Sequence, residues 1–174
     1  MADLNGKNIA IIATNGFEDS ELTSPKEAVE SAGATTKVVS TETGEIEGKK
    51  GAKVAVDAKT ADASADEFDA LILPGGTINA DTIRTDADAV TLVKAFKDAG
   101  KPIGVICHGG WILADADLLK GVKLTSVANV KTDLANAGAN WVDEEVVVDS
   151  GFISSRTPDD LPAFNATLVE EFAK

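Results

Sequence analysis

The sequence predicts an α/β domain built on a mostly parallel sheet with helices on both faces. Three observations carry the prediction. Short apolar, β-branched runs recur at 9–12, 70–73 and 103–106. Stretches with one apolar stripe at helical spacing alternate with them. Glycine- or proline-rich turns follow the runs, as Pro74-Gly75-Gly76 and Gly109-Gly110 do. Strands that are apolar throughout and alternate with helices belong to parallel sheets buried on both sides.

Taken in order, Ile9-Ala10-Ile11-Ile12 reads as a buried strand. Ser24-Pro25-Lys26-Glu27 combines an N-cap residue, a proline at the first helical position and a capping-box glutamate. The helix it opens carries Ala28, Val29 and Ala32 inward and stops at Gly33. Residues 36–40 form the next strand, and 44–56, with alternating side chains between glycines, a hairpin. After the strand at 70–73, Asp86 starts a helix with Val90, Val93 and Phe96 on one face, closed by Gly100 and Pro102. The strand at 103–106 runs directly into Cys107 and a helix through Ala114. Strands at 146–148 and 152–154 follow. Thr157-Pro158-Asp159-Asp160 then caps a last helix striped with Leu161, Phe164, Leu168 and Phe172.

A chain of 174 residues is one domain's worth, so a single domain over 1–174 is expected. Hydrophobic residues make up 44% and charged residues 26%, the balance of an ordinary globular protein. No run approaches the roughly 20 apolar residues of a membrane span. The segment from Met1 to Lys7 lacks the basic flank and long apolar stretch of a secretory signal. The one cysteine has no partner for an internal disulfide, and a reducing cytoplasm is the expected compartment. The net charge of −13 opposes binding to phosphate backbones and anionic lipid, which argues against a nucleic-acid scaffold or a membrane partner. With one histidine and one cysteine, the usual zinc clusters are excluded, and neither a metal nor a cofactor is expected.

In an open parallel sheet, ligands bind beyond the carboxyl ends of the strands. Cys107 stands at such an end, where a buried strand passes through small residues into a helix. That is the layout of a nucleophile elbow, which lifts a side chain clear of the sheet. Gly109 relieves crowding two residues on, whereas Val105 occupies the other flanking small position. The helix start favours thiolate, which predicts a lowered thiol pKa. A cysteine inside a strand would instead read as a small buried hydrophobe. His108 is either a base meeting the sulfur or a first-turn residue facing solvent. Pro74-Gly75-Gly76 is either a tight turn or a close approach of backbone to substrate. In the second case the amides of Gly76 and His108 form a two-donor oxyanion hole. Glu18, after the first strand, is either an acid coupled to Cys107 or a helix-entry acid like Asp19 and Glu21.

Four segments resemble the ThiJ/PfpI family over nearly the whole chain: Gly-Phe-Glu-Asp-Ser-Glu-Leu at 16–22, Leu-Pro-Gly-Gly at 73–76, Ile-Cys-His-Gly at 106–109 and Ser-Arg-Thr-Pro-Asp-Asp-Leu-Pro-Ala-Phe at 155–164. The resemblance is nearest to the PfpI branch of intracellular proteases and general stress proteins. It implies a flavodoxin-like three-layer sandwich, a nucleophilic Cys107 and a conserved acid beside it at Glu18. It also implies a third acid supplied by a neighbouring subunit, which falls on Asp81, or on Asn79 where the turn is shorter. A homodimer or larger homo-oligomer follows. The chain departs from the family in one place, where Gly109-Gly110 replaces the usual Gly-Pro.

The resemblance implies a cysteine-dependent enzyme of the stress response, acting on small aldehydes or glycated adducts as a deglycase or glyoxalase does, or as a PfpI-type peptidase. Cys107, His108, Glu18 and Asp81 are the expected catalytic residues, with Gly75, Gly76 and Gly109 against a small carbonyl or glycated substrate. The competing reading is a redox sensor or chaperone working through oxidation of Cys107.

Overall fold

The computed structural model describes residues 2–174; Met1, counted in the expected domain, lies outside them. The strands and helices in chain order are β1 (Asn8–Ile12), α1 (Asp19–Ser31), β2 (Thr35–Ser40), β3 (Gly44–Glu47), β4 (Lys53–Val56), β5 (Ala58–Lys59), β6 (Ala70–Leu73), α2 (Thr77–Ile83), α3 (Ala87–Asp98), β7 (Ile103–Ile106), α4 (Trp111–Asp115), β8 (Lys123–Leu124), α5 (Lys131–Asn136), β9 (Asn140–Trp141), β10 (Val147–Asp149), β11 (Phe152–Ser155) and α6 (Leu161–Phe172). Seven strands form the main sheet in the order β10-β11-β7-β6-β1-β2-β5. Every pairing is parallel except β10 with β11 at one edge.

Side-chain alternation divides each central strand between two cores. Ala10, Ile12, Leu71, Leu73, Ile103 and Val105 face one way, toward α3, α4 and α5 through Leu92, Phe96, Ile112 and Leu134. Ile9, Ile11, Ala70, Ile72 and Ile106 face the other way, toward α1 and α6 through Leu22, Val29, Phe164 and Leu168. The result is the expected three-layer sandwich with a mostly parallel centre. Among the described residues no helix is long and apolar enough to cross a membrane.

Helix α1 departs from the expected start. It begins at Asp19 and carries Pro25 inside it. The Pro25 ring removes one backbone donor, but Leu22, Pro25 and Val29 are buried on the sheet, and that packing outweighs the local signal. The expected stop holds: Ala32 caps the helix and Gly33 takes a left-handed φ of 109°. The segment 77–83, between the strand at 70–73 and the helix after Asp86, is the further helix α2. The hairpin at 44–56 is β3 and β4, paired antiparallel outside the main sheet. Its tip folds back on the loop after β1. Gly16 N donates to Glu47 O at 2.9 Å and Lys49 N to Phe17 O at 3.0 Å. Asp19 receives Lys50 N at 3.0 Å and Ala52 N at 2.9 Å. This docking brings hairpin residues to the carboxyl edge of the sheet.

Candidate functional site

The central strands β1, β6 and β7 end side by side, and the segments that follow them meet. Cys107 leaves β7 with φ 61°, one of three non-glycine residues with positive φ among the described residues. That conformation costs a non-glycine residue about 1 kcal/mol or more, so packing must impose it. The turn over 107–110 is a tight 3-10 turn, and α4 continues from it. Gly109 lies where a Cβ would come within 2.5 Å of Leu73 O, so the elbow presses on the end of β6. Gly109 is buried and serves the close approach of two backbones. Gly110, in the departure from Gly-Pro, has an ordinary helical φ of −70°.

The amides of His108 and Gly76 lie near the Cys107 sulfur and favour its charged form. Gly76 reaches it with φ 92°, and a Cβ there would lie 2.4 Å from Glu18 N. Glycine is the residue that fits. The Gly75 N–H is taken up within the fold, donating to Glu21 Oε1 at 3.0 Å. The turn carrying both glycines is fixed by Asn79. Its Nδ2 donates to Pro74 O at 3.1 Å and Gly75 O at 3.0 Å, while its Oδ1 accepts from Thr14 N at 2.7 Å. Asn79 is wholly buried in this work, which removes it as an alternative to Asp81.

The acid beside Cys107 is Glu21. Glu18 was expected there, and the reason for the difference is helical geometry. Glu18 is the extended residue just before α1, and its carboxylate turns out toward Lys49 and Lys50 of the hairpin tip. Glu21 lies in the first turn, where helical side chains lean back toward the N-terminus and so into the space under the elbow. It is fully buried. The sequence did hold a signal for it. Residues 21, 25 and 29 share one helical stripe, and an acid within an apolar stripe marks a buried functional group.

Burial first, then the Glu18 charge, raise the Glu21 carboxyl to about 7. Burial first, then the Glu21 charge, push the Cys107 thiol up to about 12. The two amides work against this without overcoming it, so the thiol is not lowered as the helix start alone suggests. Glu21 and Cys107 therefore titrate as a coupled pair.

His108 does meet the sulfur. Its Nδ1 is 3.3 Å from Cys107 Sγ, and Nε2 is 3.4 Å from Thr77 Oγ1. Burial first, and the Lys49 ammonium second, hold the imidazole below its usual range, which keeps it neutral near pH 7. Trp111 packs edge-on against the ring at 5.4 Å between centroids. Arg84 lies over the indole at 5.1 Å, and Trp111 Nε1 donates to Asp133 at 2.9 Å. Asp81 is exposed on α2, one helical turn after Thr77. Among the described residues nothing joins its carboxylate to His108.

A strained cysteine at the mouth of a parallel sheet, with two converging amides, an adjacent imidazole and a buried acid, defines a nucleophile-elbow protein of the cysteine type. More narrowly, the chain belongs to the DJ-1/PfpI family, whose model matches residues 7–171. An uncharacterized protein of Staphylococcus saprophyticus is 52% identical over 168 residues, covering 95% of this chain and 97% of its own. The ThiJ/PfpI domain protein from Brachyspira murdochii has a TM-score of 0.89 at 29% identity, covering 98% of this chain and 97% of its own. The chain also matches about half, 49%, of a two-domain protein from Anabaena variabilis that joins DJ-1/ThiJ/PfpI-like and ferritin-like domains. That match covers 94% of this chain, with a TM-score of 0.92 and 34% identity.

Proposed function

We propose that the protein is a cytoplasmic cysteine-dependent enzyme acting on small aldehydes, 2-ketoaldehydes or their glycated adducts. The observation that carries this reading is the convergence on Cys107 of the amides of His108 and Gly76, with His108 Nδ1 at 3.3 Å. The same two N–H groups that reach the sulfur are positioned to receive an oxyanion formed next to it.

The reaction starts when His108, neutral and within reach, takes the thiol proton as sulfur attacks the aldehyde carbon. The C–S bond forms, the carbonyl π pair moves to oxygen, and the Gly76 and His108 amides hold that oxygen. The resulting hemithioacetal releases its carbonyl in reverse. With a 2-ketoaldehyde, a basic group of the site instead takes the C–H proton while the protonated His108 gives its proton to the ketone oxygen. The enediolate then reforms a carbonyl at the sulfur-bearing carbon and takes the first proton back at the former ketone carbon. The product is a 2-hydroxyacyl thioester, which water cleaves to the acid and free Cys107. Glu21, carrying a proton below about pH 7, hydrogen-bonds the charged sulfur at each stage where it is free. A small substrate suits a cysteine reached past the His108 ring and the hairpin tip. Cleavage of peptides is the alternative substrate class for the same nucleophile.

The test is turnover of methylglyoxal by the purified protein, followed by formation of lactate. Activity lost in Cys107→Ala and His108→Ala supports the reading. A protein inert toward a panel of aldehydes, glycated amines and peptides overturns it. A second reading is favoured by the buried acid. A thiol beside a protonated carboxyl is arranged to hold a sulfinate formed with two equivalents of peroxide. Peroxide-dependent binding of a partner protein without turnover would select it.

A further inference from the structure

Glu18 and Glu21 stand three residues apart, Glu18 as the extended residue before α1 and Glu21 in its first turn. Glu18 is 6% exposed and Glu21 not at all. Both are tied to the same residue of the glycine turn. Glu18 N donates to Gly75 O at 3.2 Å, and Gly75 N donates to Glu21 Oε1 at 3.0 Å. Two neighbouring carboxyls with this little solvent do not readily hold two negative charges, and one keeps a proton.

The hairpin tip breaks the symmetry. Lys49 Nζ contacts Glu18 Oε2, and Lys50 Nζ lies 3.3 Å from Glu18 Oε1. Among the described residues Glu21 has no such partner: its Oε2 is buried without a hydrogen bond. The lysines are held in place by backbone, since Lys49 N donates to Phe17 O, and the carboxylate of Asp19 takes the amides of Lys50 and Ala52. Gly48 lets the tip come this close, for a Cβ there would lie 2.2 Å from Asp19 Oδ1.

We propose that Glu18, Lys49 and Lys50 are a charge clamp that sets the ionisation of Glu21: the Glu18 carboxylate holds the proton on Glu21, and the lysines that pair with Glu18 moderate that hold. Glu18 and the two lysines are positioning residues: Glu18 acts on Cys107 through Glu21, and Lys49 also acts by its charge on the sulfur and on His108. The charged and titratable groups around Glu21 are few. Glu18 precedes its own helix, Lys49 comes from the hairpin, and Cys107 comes from the elbow with His108 beside its sulfur. The end of β6 contributes only the Gly75 amide. The clamp rests on Cys107 being a reactive thiol and is independent of which substrate it attacks.

The two arms of the clamp have opposite signs. The Glu18 charge opposes ionisation of Glu21, and the Lys49 charge assists it. Carboxyl-13C glutamate NMR on the full chain, with the Glu21 signal assigned by its loss in Glu21→Gln, reads the titration directly. In Glu18→Gln the Glu21 midpoint should fall by about one pH unit or more. In Lys49→Met/Lys50→Met it should rise, and Lys49→Arg/Lys50→Arg should restore it. The inflection that Glu21 imposes on Cys107 alkylation by iodoacetamide, an uncharged probe, should move in the same direction in each variant. A hairpin that merely shields the site would, once loosened, admit water and lower the midpoint in both variants. Shifts of the same sign, or no shift in Glu18→Gln, overturn the clamp. Opposed shifts in a protein that turns over no aldehyde keep the clamp and remove the substrate reading.

Discussion

Glu21 Oε1 is hydrogen-bonded to the amide of Gly75 at 3.0 Å, which fixes a fully buried carboxyl beneath the thiol of Cys107. A Cβ at Gly75 would fall 2.4 Å from Glu21 Oε1 and 2.8 Å from the Cβ of Cys107. The turn after β6, the first turn of α1 and the elbow after β7 are thus packed around one carboxyl. The chemistry of the thiol depends on the state of that group.

Replacing Glu21 by Gln removes the second-largest influence that raises the thiol, and keeps a side chain able to donate to sulfur. The Glu21→Gln protein should be alkylated by iodoacetamide about tenfold faster at pH 8, with a thiol midpoint at least a unit lower. Rates measured from pH 5 to 11 decide this. A midpoint that stays or rises means that burial alone governs Cys107.

The same acid makes folding pH-dependent. The folded-state Glu21 sits near 7 against an ordinary 4.5, so the folded protein holds a proton that the unfolded chain has lost between those values. Stability from this group is full below about pH 4.5 and is lost as pH rises toward 7. The full span corresponds to about 3 kcal/mol. Urea unfolding of wild type and Glu21→Gln across pH 4.5 to 8 should show the variant gaining relative stability with rising pH. A constant difference would show that Glu21 does not titrate in that window.

Two glycines should respond very differently to alanine. At Gly104 the added Cβ meets Leu168 Cδ2 at 2.4 Å, the movable end of a side chain. At Gly76 it meets Glu18 N at 2.4 Å and Gly16 O at 2.5 Å in a backbone of positive φ. Gly104→Ala should cost about 1–2 kcal/mol and Gly76→Ala about 3 kcal/mol or more, by denaturant unfolding. Equal costs would mean that the turn yields as readily as a leucine.

Trp111 should report on His108. In a Trp141→Phe protein the remaining indole lies 5.4 Å from the imidazole, and a charged imidazolium quenches such a neighbour. Emission should fall as pH drops, with a midpoint below 6.5. His108→Asn should remove the step. A step that persists in His108→Asn would trace to another group, and the ring contact would lose its meaning for the site.

Asp81 remains a proposed contribution across subunits. It is exposed on α2, one turn beyond the Thr77 hydroxyl that faces His108 Nε2 at 3.4 Å, so a second copy docking on α2 can present its own Asp81 to that ring. The protein should then be at least a dimer by light scattering. Mixing inactive Cys107→Ala and Asp81→Ala chains should restore part of the activity, because some mixed interfaces carry both intact groups. A fully active Asp81→Ala protein, or no recovery despite subunit exchange, excludes the shared site.

The sequence by itself determined the layers and the place of Cys107. Apolar strands at 9–12, 70–73 and 103–106 can be buried only between two layers, and a cysteine placed where such a strand ends stands at the open edge of the sheet. The meeting of His108 Nδ1 with sulfur, and the approach of the Gly76 and His108 amides, each had a plainer alternative in the sequence, and the packing of the elbow against the turn after β6 decided them. Tertiary structure decided which acid serves it. Glu18 and Glu21 carry the same chemistry three residues apart, and only the real start of α1 turns one to the hairpin and the other to the thiol. That start was hidden because Pro25 resembles a helix opening, while burial of Leu22 and Val29 on the sheet extends the helix back to Asp19. The direction of the thiol pKa was hidden for the same reason. Helix start and amides are local and readable, whereas desolvation and a carboxyl 86 residues earlier in the chain arise only when the sheet brings three loops together.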